Sequence, residues 1–448
     1  MKYLFTIAFV IASTTWLHSQ TEPREQTLKE CIDYAIENNL TLKNQTLIQS
    51  ILENNYQQAK YDRLPDVNAS SNLGINFGQS FDLQANKFIS ERATNFNIGA
   101  MANVDLFNGF YKYHSINKRL LETHSGAFQS EIIQNRIILD VLNAYLQILF
   151  NKEQSEIVNK QLETTNLQID RAEKLINSGT ITKGDLLSLL SQKAEEESQL
   201  IAYKNMVRMS ELGLIQLMNY TETTIEIVKP NINETIITTT LPEEIEALYG
   251  EALAFLPELK LTENQLQTSH QVLKLSKSGY YPSLRMNAGF STNYNNQFTN
   301  PLDIANKYGF STQLKDRKYF DLGMTLSIPI FSKFRNRTNV QNAKIEILQS
   351  ENDILKTKQD IYKIIQSVHN DVLASRENYK SRQQLVTANE ESFRFAEQRF
   401  NAGAINAIDY NLEKNKLTSA ISKLLQSKYD LLIKLKVLDF YRGQDIEL

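Results

Sequence analysis

The chain has 448 residues, and its 48 Lys and Arg against 51 Asp and Glu leave a formal net charge of −3 at pH 7. Nothing in this balance suggests the clustered positive charge that a nucleic-acid-binding protein needs. Cys31 is the only cysteine, so the chain cannot form an internal disulfide.

The first residues have the pattern of an export signal. Lys2 precedes an apolar run over residues 4–12, and residues 17–19 resemble a cleavage site before Gln20. The run is shorter than the ~20 residues of a membrane-spanning helix, and no later stretch comes near that length. We therefore expect residues 1–19 to be a signal peptide and the mature chain to be exported.

The sequence shows no pattern of catalytic or metal-ligating residues. The five histidines are scattered without ligand spacing, and the nucleophile-elbow, dinucleotide-binding and phosphate-loop motifs are absent from the sequence. Cys31 shares a helical spacing with four apolar residues, which predicts a buried thiol on an apolar helix face: Leu28, Ile32, Ala35 and Ile36. We therefore expect no enzyme, no cofactor and no metal site.

Four segments alternate apolar and polar residues with a period of two: about 67–77, 95–107, 284–294 and 319–331. Clean alternation over about ten residues is typical of a β-strand that crosses a membrane, apolar towards lipid and polar towards a lumen. A half-buried antiparallel sheet is the better explanation of any one of them taken alone. The similar lengths and nearly uncharged polar faces of all four, together with the export signal, favour the membrane. Four strands cannot close a barrel, so several chains must share one. Two chains would give eight strands and three would give twelve.

Two long segments are almost free of helix-breaking residues. Residues 112–176 contain only Gly126, and no glycine or proline lies between Pro329 and Gly403. Each segment can form one helix on the order of 100 Å long. Apolar residues recur every seven positions in the second segment: Ile365, Val372, Tyr379, Val386, Phe393 and Phe400. The equivalent positions of the first segment hold Val141, Ile148, Ser155, Leu162, Ile169 and Ile176. This repeat predicts left-handed supercoiling against neighbouring helices.

A short glycine-containing stretch follows each long segment. "NSGTITKGDLL" begins at residue 177 and "NAGAINAIDYN" at residue 401, with Asn, Gly, Ile and Asp at the same offsets. Glycine commonly closes a helix in the left-handed conformation. Thr182 and Asp185 have the spacing of a capping box, and Asn406 and Asp409 resemble it. We interpret both stretches, 177–185 and 401–409, as turns of long helical hairpins.

The combination resembles the TolC family of outer-membrane efflux proteins. It comprises the signal peptide, the two-fold repeat with two strands each, the long helices, the glycine turns and the strand-flanking motifs that begin at Leu64-Pro65 and Tyr281-Pro282 and end at Val104–Phe107 and Ser327–Phe331. The resemblance implies a mixed, mainly α fold with two tandem repeats, 20–224 and 243–448. Their long antiparallel helices would form an α-barrel tunnel. Residues 225–242 would be an equatorial connector, joined at that level by the C-terminal tail, and the four strands would enter a trimeric 12-stranded β-barrel.

The resemblance also implies a function and partners. The protein would be an exit duct in the outer membrane of a Gram-negative cell, extending into the periplasm and serving a tripartite efflux or type I secretion system. A homotrimer would passively conduct substrate from an inner-membrane transporter and a periplasmic adaptor, with outer-membrane lipid around it and no nucleic acid. The alternatives are a periplasmic coiled-coil adaptor, a structural protein without a pore and a stand-alone porin.

Residue roles at the turns follow from the resemblance. The adaptor-contacting tip would comprise Gly179, Thr180, Ile181, Gly403, Ala404 and Ile405. The tunnel constriction would comprise Asp185, Asp409, Ile176 and Phe400, with the aspartates forming carboxylate rings that favour cations. The alternative, that both aspartates only cap helices, stays open. Neither turn carries an arginine, so a salt-bridged latch at the turns is not expected.

Overall fold

The computed structural model describes residues 25–82, 86–90, 92–177, 182–230, 244–300, 303–444 and 446. The predicted signal peptide and three tip residues, Gly179, Thr180 and Ile181, lie outside these ranges, as does most of the predicted connector. None of the helices in the described ranges combines the length and apolar character needed to cross a membrane.

Long helices dominate the described chain, which confirms the prediction of a mainly α protein. The first half contains α1 (Leu28–Asn38), α2 (Leu40–Tyr61), β1 (Asp66–Asn76), β2 (Gln79–Asp82), β3 (Lys87–Ser90), β4 (Ala93–Asn108), α3 (Tyr111–Asn177) and α4 (Lys183–Met218). The second half contains α5 (Ile245–Phe255), α6 (Pro257–Ser278), β5 (Ser283–Asn295), β6 (Thr299–Asn300), β7 (Asp303–Lys307), α7 (Phe310–Asp316), β8 (Tyr319–Ser327), α8 (Arg335–Asn401) and α9 (Ala407–Tyr441).

The internal repeat changes its offset once. Helices α1 and α5 have the same length, and so do α2 and α6. In both pairs the first residues are 217 positions apart (245 − 28 and 257 − 40). Helices α3 and α8 also match in length, but the offset of their first residues is 335 − 111 = 224. The offset changes between the paired strands, where the connection 296–318 is longer than the connection 77–92. The longer connection contains α7.

The two longest helices carry the predicted seven-residue seam on a buried side. At 1.5 Å per residue, each 67-residue helix is about 100 Å long. Seam residues of both helices are almost inaccessible to solvent, among them Val141, Ile148, Ile365 and Val372. Towards the turns, Ile176 and Phe400 are half-buried.

The four long strands form one antiparallel sheet in the order β1-β4-β5-β8. Cross-strand partners share a face, so Leu73 lies beside Phe96, which lies beside Tyr294. The sequence pattern extends to residue 331, but β8 ends at Ser327. The shortening has a simple cause, because Pro329 lacks the N–H that a ladder position must donate.

The chain divides into two compact units. One comprises Met1–Leu40, Asn135–Glu244 and Ser367–Leu448, and the other comprises Thr41–Gln134 and Ile245–Gln366. Each unit therefore takes pieces from both sequence repeats. The second unit contains the four-stranded sheet, and the first contains both hairpin turns.

The first unit holds the chain's only cysteine against its N-terminal segment. Gln26 forms a parallel bridge with Ile227, and Tyr145 Oη donates to Val228 O at 2.6 Å. Cys31 is fully buried on α1, as predicted from its spacing, and this burial raises the pKa of its thiol to about 12. The bridge joins the start of the first sequence repeat to the predicted connector.

Candidate functional site

Three of the predicted tip residues lie in the turn between α8 and α9, and they differ in solvent exposure. Gly403 has a φ of +71°, the left-handed conformation expected of a helix-closing glycine. Its N–H donates to Phe400 O at 3.0 Å, and Ala404 N–H donates to Arg399 O at 2.8 Å. Gly403 and Ala404 are exposed, whereas Ile405 is half-buried.

The predicted capping box is present at the start of α4. Thr182 donates from its N–H (3.0 Å) and its Oγ1 (2.7 Å) to Asp185 Oδ2, and Asp185 N–H donates back to Thr182 Oγ1 at 3.2 Å. These bonds satisfy amide groups that the first helical turn leaves without partners. The hydrogen bond from Thr182, aided by one from Ala407 N–H, holds the pKa of Asp185 below its usual value.

The two predicted constriction aspartates have different surroundings. Asp185 is half-buried, and its second oxygen accepts from Ala407 N–H at 3.2 Å, across to the other hairpin. Asp409 is exposed, and its N–H donates to the Asn406 side chain at 2.8 Å. Asp185 therefore connects two helix starts, while the carboxylate of Asp409 faces solvent.

Aromatic rings of α8 and α9 pack against each other next to the turn of the second hairpin. The rings of Phe400 and Tyr410 are stacked at 4.7 Å, and Phe393 is 5.5 Å from the same tyrosine. Tyr410 is fully buried, which raises its pKa to about 12. Sequence reasoning missed Tyr410, although it begins a seven-residue series in α9 that continues with Leu417, Leu424, Leu431 and Leu438.

A buried ion pair joins the two hairpins farther from the turns. Lys414 Nζ on α9 lies 3.1 Å from Glu196 Oε1 on α4, and both side chains are almost completely buried. Burial lowers the pKa of Lys414, against the opposing effect of Glu196. Neither residue has a like residue at the equivalent position of the other repeat, where Leu190 and Ala420 stand. The repeat pattern therefore gave no sign of this pair.

Polar side chains from α3 and α4 surround the pair. Glu196 accepts from Gln161 Nε2 at 2.8 Å, from Gln192 Nε2 at 2.9 Å and from Thr165 Oγ1 at 2.5 Å. Lys414 also donates to Thr165 Oγ1 and to Gln161 O. The charges are thus hydrogen-bonded on several sides, which is the condition under which a buried pair is tolerated.

Further polar contacts link the hairpins within this unit. Arg171 Nη1 donates to Asn401 Oδ1 at 2.6 Å, Gln192 pairs with Asn415, and Asn411 Nδ2 lies 3.5 Å from Ser188 Oγ. Beyond the ion pair, Gln154 Nε2 donates to Ser422 Oγ at 2.6 Å, so hydrogen bonds connect the hairpins on both sides of it. Within the described ranges, no group of three or more His, Cys, Asp or Glu side chains is placed to hold a metal ion.

Comparison with known families gives this arrangement a context. The family model described as outer membrane efflux protein matches residues 31–220 and 248–444. The chain belongs to this family. Membership confirms the resemblance predicted from the sequence and places the protein in the outer membrane, and it disfavours a periplasmic adaptor or a structural protein without a pore.

Individual relatives are distant in sequence but close in fold. The outer membrane protein TolC of Vibrio cholerae is 19% identical over 307 residues, which are 67% of this chain and 66% of that protein. The pyoverdine export outer membrane protein OpmQ of Pseudomonas aeruginosa is 21% identical over 54% of this chain and 46% of its own length. The chain thus spans less than two thirds of either relative. The solved structure of CusC superposes with a TM-score of 0.77 at 16% identity, covering 94% of this chain and 93% of CusC.

Proposed function

We propose that this protein is the exit duct of a tripartite efflux or type I secretion system. Three copies would share one 12-stranded barrel in the outer membrane, and their helices would continue as a tunnel into the periplasm. Substrate would pass through without chemical change, delivered by an inner-membrane transporter through a periplasmic adaptor. The observation that carries this proposal is the open four-stranded antiparallel sheet with one exposed apolar face.

The exposed face has the character of a lipid contact. Along β8, Phe320, Leu322 and Met324 are 72%, 69% and 64% exposed, although they are large apolar side chains. Contiguous apolar surface of this kind marks a protein or membrane contact. The opposite face carries mainly Asn, Ser, Gly and Thr, together with Asp66, Met101, Tyr319 and Asp321. Asp105 and Arg285 form a charged cross-strand pair on this face at 2.9 Å. This polar face suits a water-filled lumen.

The strand directions permit closure by copies of the same sheet. Because each neighbour pair is antiparallel, the edge strands β1 and β8 run in opposite directions. Strand β8 of one copy can then pair antiparallel with β1 of the next, so the alternation continues around the ring. Closure removes both edges, whose unpaired backbone groups would each cost several kcal/mol in a bilayer.

The turns would form the periplasmic tip of the tunnel. Gly403 and Ala404 are exposed there, and we assign them, together with Ile405 and the equivalent residues 179–181, to contact with the adaptor. We assign the constriction to Asp409 and Asp185, backed by the apolar residues Ile176 and Phe400. Exposed Asp409 would supply the charge facing the tunnel, while Asp185 holds the two hairpins together.

Disulfide trapping tests the shared barrel. In a Cys31→Ala background, Ser70→Cys on β1 is combined in turn with Asp321→Cys, Gly323→Cys and Thr325→Cys on β8, all on the polar face. At least one pair is expected to give a covalent ladder that stops at three chains after extraction from outer membranes.

The matched control places the β1 cysteine at Ala69, on the opposite face. Side chains on opposite faces cannot meet, so Ala69→Cys with the same β8 partners should give no ladder. A ladder ending at two chains would indicate an eight-stranded barrel. A water-soluble monomer would overturn the duct itself.

A further inference from the structure

Helix α7 has no counterpart among the described residues of the connection 77–92, and it lies on the apolar face of the sheet. The Phe310 ring is 5.6 Å from Phe96 and 5.0 Å from Tyr294, two cross-strand partners on that face. Thr292 Oγ1, also on that face, donates to Leu314 O at 2.8 Å. The additional length of the second connection is thus folded back onto the side that faces lipid in the proposed barrel.

A buried glutamine fixes α7 to the end of β5. Gln313 is fully buried, and its Nε2 donates to Asn295 O at 3.0 Å and Tyr308 O at 2.7 Å. Its Oε1 accepts from Asn295 N–H at 3.0 Å. All its amide groups serve the backbone, so α7 is held in one position rather than attached only by its ends.

This attachment presents positive charge beside Phe320, the first residue of β8 on the apolar face. Lys315 and Lys318 are exposed, and the guanidinium of Arg317 lies 3.9 Å from the centre of the Phe298 ring. The one acidic side chain within this run, Asp316, accepts from the Tyr308 hydroxyl. Phe320, on the apolar face, is 72% exposed, whereas Tyr319 pairs with Ser291 on the polar face.

We propose that Lys315, Arg317 and Lys318 bind phosphate groups of lipid headgroups in the outer leaflet. This inference rests on the proposed barrel, in which the connections between paired strands face outwards because α3 and α8 leave the sheet at its other end. Cations at the end of an apolar face meet headgroups where the hydrocarbon stops, and a neighbouring ring suits the interface. Charge complementarity therefore selects an anionic, phosphate-bearing lipid.

Native mass spectrometry of the purified full chain in detergent tests this surface. The probes are lipid A with both phosphates and the same lipid after dephosphorylation. Lys315→Gln with Lys318→Gln should weaken retention of phosphorylated lipid A by about 30-fold. The matched control, Lys356→Gln with Lys380→Gln, removes the same charge from exposed positions on α8 and should leave retention unchanged.

Each outcome bears on a different claim. Equal retention by wild type and the Lys315/Lys318 variant would overturn the headgroup site, and so would equal retention of the two forms of lipid A by the wild type. Flotation of the wild type with phosphatidylcholine vesicles is measured in parallel. Failure of the wild type to float or to form trimers would overturn the barrel, and the headgroup site with it.

Discussion

Lys414 Nζ lies 3.1 Å from Glu196 Oε1, and these two residues, far apart in sequence, connect α9 to α4 in a place that water does not reach. Removing two charges from water is costly, and their mutual attraction offsets this only when further hydrogen bonds complete the site. Gln161, Thr165 and Gln192 supply those bonds. The pair therefore fixes which faces of the two hairpins meet.

Breaking this pair should destabilise the helical part of the protein strongly. Lys414→Met leaves the Glu196 carboxylate buried without its cation, at a cost of about 3–5 kcal/mol. Guanidinium unfolding in detergent, followed by helical circular dichroism, measures the loss. Lys416→Met removes the exposed partner of Glu413, 2.7 Å away, and should cost under about 1 kcal/mol. Equal stability of the two variants would contradict the role given to Glu196 and Lys414.

Asp185 should stabilise the start of α4 in a pH-dependent way. Asp185→Ala removes a capping box and should cost about 1 kcal/mol at pH 6, whereas Asp409→Ala, at an exposed position, should cost less. Because the folded pKa of Asp185 lies below the usual 3.8, its contribution is present above pH 3.8 and is lost as pH falls through the folded pKa. Urea midpoints of wild type and Asp185→Ala should therefore converge only below about pH 3.8. Convergence already at pH 5 would refute the cap.

Asp409 should influence ion selectivity more than Asp185 does. Its carboxylate is exposed, whereas that of Asp185 accepts bonds from Thr182 and Ala407. A ring of three Asp409 side chains would favour cations, so Asp409→Asn should reduce the cation preference measured as a reversal potential in planar bilayers. Asp185→Asn should shift it less. The opposite order would assign the constriction charge to Asp185.

Substitutions of different size at Gly403 should distinguish the effect of backbone strain from the effect of a bulky side chain on adaptor binding. The left-handed φ of +71° disfavours any side chain by about 1–2 kcal/mol, but nothing lies within 4 Å of the position where a Cβ would stand. Gly403→Ala and Gly403→Trp should therefore assemble as trimers alike. Only the tryptophan variant should lose binding to the cognate periplasmic adaptor in a pull-down. Adaptor binding by Gly403→Trp at the wild-type level would overturn the tip assignment.

Gly109 and Lys333 occupy equivalent left-handed positions just before α3 and α8, with φ of 63° and 52°. A Cβ on Gly109 would meet Ser278 O at 2.6 Å and Tyr281 Cβ at 2.8 Å. Gly109→Ala should therefore destabilise by about 2 kcal/mol or more, while Lys333→Gly should stabilise by about 1 kcal/mol. Denaturation midpoints of both variants check this contrast. Loss of stability in Lys333→Gly would show that its side chain contributes more than its backbone costs.

Periodic features of this fold were visible in the sequence. The absence of glycine and proline between Pro329 and Gly403 predicts one long helix, and α8 spans Arg335–Asn401. The seven-residue series predicts a buried seam, and Val372 is fully buried. The spacing of Thr182 and Asp185 predicts a cap, and both hydrogen-bond directions are present. Each of these features depends only on residues close together in the chain, so one stretch of sequence is enough to predict it.

The contacts between elements were decided by the tertiary structure. The sequence by itself determined the helices, the alternating strands, the turns and the family, because helical and extended backbones impose periods of 3.6 and 2.0 on neighbouring residues. It gave no sign that Glu196 would meet Lys414, or that α7 would fold back onto Phe96 and Tyr294. These partners are distant in sequence and follow no period. Only the packing of whole hairpins and of the completed sheet brings such residues together, since burial and hydrogen bonding there depend on every surrounding side chain at once.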